Sequence, residues 1–405
     1  QASVIGKIRE DGMYVVHNGS EEIVNAPASE VTKGFLYNRP YTEKKSNHQE
    51  PDIISSNNHN DTLLKILSNE NVCSRKPIYE KYDKQVQGRT YIETGAADAG
   101  VMAPFNSSQY PEEIREVGLA LSTDHNPRFG LIDPYWSGVN AVVEAMRNVA
   151  SVGATPHAIT DCLCYGNPEK PQQMWEFVEG VRGISDACKT ITLKHSPEDP
   201  TPIIAGNVSF YNESKNIPIP PSPIVSCLGK IKNVKKTITM SFKKEGSALI
   251  MIGKRKNELG GSIYYSLHNE LGKNVPKPNL IEAKHQIYSL TDCIEQDLII
   301  ACHDISEGGI AAALSEMTFE YSIGCVVRID SELSIEKMLF SETGGFVLEA
   351  DNNQVESIRS IFRKRNLDIY VIGKTGGSRI EIYDTVNILV EEAKTCWENG
   401  LKEKL

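Results

Sequence analysis

One stretch of the chain, residues 160–212, gathers the residue types that phosphate chemistry needs. It reads T-D-C-L-C-Y-G-N-P-E-K-P, then an amphipathic run, then A-G-N-V-S-F-Y-N. Asp161, Gly206, Asn207 and Ser209 fall at the ends of two apolar, strand-like segments. A carboxylate, a backbone without a side chain, an amide oxygen and a hydroxyl suit a nucleotide, its hard divalent cation and a polar substrate. The set implies a phosphate-transfer site.

Elements of an α/β protein must position these groups. Val139, Val142, Val143, Ala145, Met146, Val149 and Ala150 recur at helix spacing after Asp133 and Pro134. A second helix is expected over residues 171–189, with Pro171 in its first turn and Met174, Phe177, Val178, Val181 and Ile184 on one face. Strands are expected at residues 118–123, 202–205 and 224–228, the last two flanking A-G-N-V-S as a loop. Lys and polar residues accumulate at 230–245 and mark a boundary. Beyond it come strands at 248–252, 298–302 and 346–349, the glycine-bearing turn 303–309 and a helix over 310–319.

With 405 residues, 40% hydrophobic and 24% charged, the chain is long enough for two or three domains. A net charge of −10 gives no basic footprint for nucleic acid or an anionic membrane. A polyanionic ligand would have to be met locally, through metal and backbone amides. The nine Cys residues lie singly apart from Cys162 and Cys164, which reads as reduced thiols in a cytoplasmic protein. A metal–thiolate reading of that pair lacks a second Cys/His cluster. Three glycosylation sequons, at Asn106, Asn207 and Asn212, are read as accidental without a secretory signal.

The chain also repeats itself. Val4-Ile5-Gly6-Lys7 is followed by a strand-like run at 13–17 and an acidic amphipathic segment; Val371-Ile372-Gly373-Lys374 is followed by runs at 379–383 and 386–397. The second copy has an α/β body before it and the first has none, and a lone hairpin cannot bury its apolar face. Residues 1–45 therefore read as the tail of a preceding unit, with Gln1 fitting a fragment. Residues 46–60 read as a polar linker.

The strings S-T-D-H-N-P-R-F (122–129), D-P-Y-W-S-G (133–138), A-I-T-D-C-L-C-Y-G-N-P-E-K-P (158–171), A-G-N-V-S-F-Y-N (205–212), E-L-G-G-S (258–262) and H-D-I-S-E-G-G (303–309) resemble the phosphoribosylformylglycinamidine synthase family, in its synthetase subunit. The resemblance implies a duplicated architecture of which this chain is the second half. Its fold class would be α/β (α+β): an N-terminal domain like that of aminoimidazole ribonucleotide synthetase over 61–240, with a mixed sheet pairing into a barrel with the sister half, then an α/β C-terminal domain over 241–405.

By the same resemblance Asp161 and Gly206 match ATP-binding positions, Asn207 a Mg2+ position and Ser209 a substrate position. The implied activity is ATP-dependent conversion of formylglycinamide ribonucleotide to the amidine, using glutamine-derived ammonia, in purine biosynthesis. No catalytic residue is assigned here, because the family's general acid/base His lies in the first half. The chain alone is expected to be inactive. Implied partners are the first half, a glutaminase subunit and a small bridging subunit, with no nucleic acid and no membrane.

Asp124, Asn126 and Arg128, with Gly308-Gly309 opening a helix, form a candidate second nucleotide site. The run 341–345 resembles a first-half substrate loop but is read as shaping a turn. Cys164 and Ala205 depart from the family's usual Asn and Ser, and 192–201 reads as a surface excursion. A non-catalytic nucleotide-binding scaffold is an alternative. So is another ATP-using enzyme of the superfamily, such as thiamine-phosphate kinase, selenophosphate synthetase or the hydrogenase-maturation dehydratase, against which G-N-P-E-K-P and G-N-V-S-F-Y-N argue.

Overall fold

The computed structural model describes residues 2–34, 37–54, 58–402 and 404–405; Gln1 and residues 55–57 of the expected linker lie outside the described residues. Gln1–Pro40 and Tyr41–Leu405 form separate compact units. In the first, Met13–Asn18 pairs antiparallel with Glu21–Pro27, and a helix follows at Ala28–Lys33. The segment expected to be acidic and amphipathic is thus a second strand. Gly19 and Ser20, with Gly19 at φ +64°, supply the tight turn that folds it back. Tyr14, Ile23, Val24 and Val31 stay exposed.

The larger unit is built on two sheets. Six strands lie in the spatial order Thr90–Ile92, Gly100–Met102, Gly118–Asp124, Ser222–Ile231, Thr155–Cys164 and Ile203–Ser209. Every neighbouring pair is antiparallel except the last, which is parallel. The A-G-N-V-S run is therefore the end of an edge strand, not the expected loop. Parallel pairing of Ala205–Ser209 with Thr160–Cys164 overrides the turn preference of Gly206 and Asn207. Residues 192–201 form a small hairpin, Thr192–Leu193 against Ser196–Pro200.

The second sheet has seven strands, in the order Ala301–Ile305, Gly345–Ala350, Ala248–Ile252, Tyr370–Thr375, Cys325–Val327, Arg379–Ile382 and Val386–Leu389. Every residue of Ala248–Ile252 is buried, because both sheet faces are covered. Ile250 and Ile252 join a core shared with helix Leu280–Glu295, whereas Leu249 and Met251 face helices Gly309–Thr318 and His59–Leu67. The strand expected at 298–302 begins at Ala301, since Leu298 N–H closes the end of the preceding helix on Cys293 O.

Helix Pro134–Ser151 lies between the sheets. Asp133 caps it by accepting the Trp136 N–H at 3.3 Å, and Pro134 occupies the first turn, where no partner for its nitrogen is needed. Its crossing with helix Pro171–Thr190 is close enough to exclude any side chain at Gly138, where a Cβ would stand 2.2 Å from Gly180 O. Among the described residues no helix is long and apolar enough to cross a membrane.

Candidate functional site

Side chains alternate between the faces of a strand, so the pairing register decides which of the four candidates meet. Asp161 lies opposite fully buried Val225 and opposite Gly206, on the helix-covered face. A Cβ on Gly206 would come within 2.3 Å of Asp161 Oδ1, so the glycine leaves room for the carboxylate. Asn207 and Ser209 lie opposite Cys162 and Cys164, on the other face. The structure thus joins Asp161 with Gly206, and Asn207 with Ser209, and brings the two pairs together only at the open edge of the sheet.

That edge is accessible. Residues 203–208 are all exposed, including Ile203, Ile204 and Val208. Ser209 Oγ donates to Asn212 Oδ1 at 3.2 Å, and Asn212 Nδ2 donates to Tyr165 O at 3.0 Å, which fixes the hydroxyl. Burial pushes the Asp161 carboxyl up from its ordinary value. The Cys162 and Cys164 sulfurs are 3.8 Å apart, and all nine cysteines are free.

The expected second site is only partly assembled. Asn126 caps helix Pro127–Ile132, accepting from the N–H groups of Arg128 and Phe129. The Arg128 guanidinium donates to the carbonyls of Gly261 and Glu270. Both are consumed by local structure. The N–H of Gly308, ahead of helix Gly309–Thr318, already donates to Glu342 Oε1 at 3.0 Å, so the expected anion position holds the chain's own carboxylate. Glu342 Oε1 also accepts the Ile263 N–H at 2.8 Å. The 341–345 run therefore does more than shape a turn.

Asp124 instead joins a buried polar cluster with Glu144, Arg147, Asn148, Asp304 and Glu307. Arg147 Nη2 stands 3.2 Å from Asp304 and 3.7 Å from Glu144, and Asn148 Nδ2 donates to Asp124 at 2.6 Å. Burial, joined by mutual repulsion, raises the carboxyls of Asp124 and Glu144 well above normal and that of Asp304 to about 6. Four carboxylates against one guanidinium are an oxygen-rich set that a hard divalent cation would relieve. The sequence carried a partial signal for it: Glu144, Arg147 and Asn148 recur at i, i+3 and i+4 in the otherwise apolar second half of the helix, before Ser151.

Among the described residues the group compact enough for a metal is a different one, Asp98, His303 and Asp304. Its imidazole is committed, with Nδ1 2.5 Å from Asp98 and Nε2 3.0 Å from Glu316. The two carboxylates hold the ring well above its ordinary pKa against the opposing effect of burial. A doubly protonated ring has no lone pair to give a metal.

A pH dependence follows. Burial, with Glu307 nearby, pushes the Glu342 carboxyl up to about 8. The folded state keeps this proton after the unfolded state has lost its own, so the contribution is complete below the unfolded carboxyl pKa and disappears as pH rises through the folded one. His303, also raised, acts in the same direction. Stability is expected to fall by about 2 kcal/mol between pH 6.5 and 8.5 from Glu342 alone. Urea unfolding at the two pH values checks this; a flat or rising profile contradicts it.

Comparison with known proteins agrees with this architecture. Residues 97–231 match the AIR synthase related protein N-terminal domain and residues 244–384 the corresponding C-terminal domain, which defines the class. The phosphoribosylformylglycinamidine synthase subunit PurL of Methanothrix thermoacetophila is 41% identical over 412 residues, covering 100% of this chain and 53% of the relative. The chain belongs to the PurL family and spans about half the length of the curated relatives it matches. Among solved structures, T. maritima PurL complexed with FGAR superposes with TM-score 0.63 at 17% identity, over 82% of this chain and 52% of that one. T. maritima PurL complexed with ATP gives TM-score 0.55 at 19% identity, over 91% and 49%.

Proposed function

We propose that this chain supplies one half of an ATP-dependent carbon–nitrogen ligase, phosphoribosylformylglycinamidine synthase, acting in purine biosynthesis in the cytoplasm. The reaction converts formylglycinamide ribonucleotide to formylglycinamidine ribonucleotide with ammonia derived from glutamine. The observation that carries the reading is the open strand Ile203–Ser209, which presents Gly206, Asn207 and Ser209 beside Asp161 on an exposed sheet edge. A sister module pairing there would add the opposite wall, and it is the first partner proposed. A glutaminase subunit and a small bridging subunit complete the set.

In this reading Asp161 orients ATP from the covered face, and Gly206 lets the backbone approach the phosphates. Asn207 offers its amide oxygen to Mg2+, which suits a cation that prefers oxygen ligands. Bound there, Mg2+ would neutralise charge on the phosphate oxygens as the formamide oxygen attacks in line. Ser209, held by Asn212, presents a fixed hydroxyl to the ribonucleotide. Ammonia then displaces phosphate from the activated carbon. Proton transfer to and from it is assigned to the sister half, since the best-placed buried imidazole here, His303, is locked between Asp98 and Glu316.

Incubating the purified 405-residue chain with formylglycinamide ribonucleotide, ATP, Mg2+ and ammonium is expected to give no amidine. Adding a first-half polypeptide should restore ATP-dependent product, with a loss of about 10²-fold when Asn207 is replaced by Ala, the scale of removing one preorganised contact to developing charge. Turnover by the isolated chain, or an Asn207→Ala mixture as active as the parent, overturns the proposal.

A further inference from the structure

A cavity of about 610 Å³ opens between helix Leu280–Glu295, the loop after strand Ala248–Ile252 and the turn at Thr343 and Gly344. It is separate from the open strand edge. Arg147, Lys254 and Lys256 line it, in a chain whose net charge is −10. Arg147 is 4% exposed, and its Nε is buried with no hydrogen-bond partner. The guanidinium divides two environments: Nη2 turns to Asp304, while Gly344, whose Cβ would stand 2.2 Å from Nη1, keeps the other end clear of side chain.

Four cationic side chains, Arg147, Lys254, Lys256 and Arg365, stand in the lining against three carboxylates, Glu258, Glu282 and Asp368. Among the described residues neither Lys254 nor Lys256 forms an ion pair, and Lys254 Nζ lies 5.8 Å from the centre of the Tyr370 ring. Of the lining carboxylates, Glu258 accepts from Thr343 Oγ1 at 2.7 Å and from Lys277 N–H at 3.1 Å, and Glu282 accepts from Gln286 at 3.0 Å. Exposed Asp368 adds one further negative charge to the lining. Behind the wall Arg255, 7% exposed, donates only to the carbonyls of Thr343 and Gly344, and its Nε too is unpartnered. A second buried guanidinium with no carboxylate bonded to it is costly unless an anion lies within reach. Burial and the adjacent Arg147 hold Arg255 down to about 9, with Glu258 opposing the shift only in part.

We propose that this cavity binds a small phosphate monoester, its phosphate met by Lys254, Lys256 and Arg147 and its organic part lying along Tyr370 and Ile281. Two ammonium groups and a buried N–H donor match the charge and the acceptor oxygens of a phosphate dianion. A half-apolar wall suits the carbon skeleton. The site is independent of the open strand and of any sister module, so it should work in the chain alone.

The test uses the 405-residue chain with ribose 5-phosphate, inorganic phosphate and ribose as probes, by calorimetric titration and thermal unfolding. Ribose 5-phosphate is expected to bind and raise Tm. Inorganic phosphate should bind at least tenfold more weakly, and ribose should do neither. The double variant Lys254→Glu, Lys256→Glu changes exposed side chains and should keep the unfolding midpoint of the unliganded protein while weakening ribose 5-phosphate at least tenfold. Equal binding of ribose and its phosphate, equal binding of the phosphate and its ester, or an unchanged Kd in the double variant overturns the proposal.

Discussion

Replacing Gly206 by Ala in the assembled synthetase is expected to lower kcat/KM by about 10²-fold while leaving the denaturation midpoint nearly unchanged. The added methyl would occupy a point 2.3 Å from Asp161 Oδ1 and 2.9 Å from its Cγ. Asp161 lies on the strand next to the edge and is only half-buried, so its carboxylate can swing aside at little cost to folding. A displacement of about 1 Å in a positioning group is nonetheless enough for a loss of that order. The double variant Asp161→Ala, Gly206→Ala separates causes: if the methyl acts by moving the carboxylate, the pair loses no more than Asp161→Ala alone. A Gly206→Ala enzyme within twofold of the parent would remove Asp161 from the site.

The second large effect concerns stability. Glu342→Ala is expected to cost about 2–5 kcal/mol, because the N–H groups of Ile263 and Gly308 would lose their shared acceptor inside the protein. An opposing term exists, since the carboxylate is buried and repelled by Glu307. Deleting it relieves that repulsion. The orphaned donors win, because two unsatisfied buried amides outweigh the relief of a group that is largely protonated near neutrality. Glu342→Gln keeps an acceptor without the charge, so it should cost under about 1 kcal/mol. It should also flatten the decline in stability between pH 6.5 and 8.5. Equal losses for Ala and Gln, measured by urea unfolding, would refute this account.

Some of this was legible in the residues before any coordinates. Five consecutive apolar residues at 248–252 announce a strand buried on both faces, and the valine and alanine spacing after Pro134 announces the helix between the sheets. The A-G-N-V-S segment misleads because Gly and Asn are locally turn formers. Its strand state is imposed by a parallel neighbour some forty residues earlier, which no local signal reports. The same limit applies to Asn126 and Arg128. A cap and a ligand use the same side chains, and only the hydrogen-bond partners distinguish them. Glu144, Arg147 and Asn148 showed one side of the buried polar cluster, but that Asp124, Asp304 and Glu307 join them was hidden, because these come from two strands and a turn. Arg255 gave no signal at all, since a buried arginine looks in sequence like a solvated one.

The unpaired border at residues 203–209 also bears on how such a protein can be made. A bare strand carrying Ile203, Ile204 and Val208 invites pairing with any other extended segment, including a copy of itself. Tethering two halves in one polypeptide raises their mutual concentration to the millimolar range. The intended neighbour then captures the strand before a stranger does. On the proposed reading, a polypeptide that carries both halves has that protection covalently.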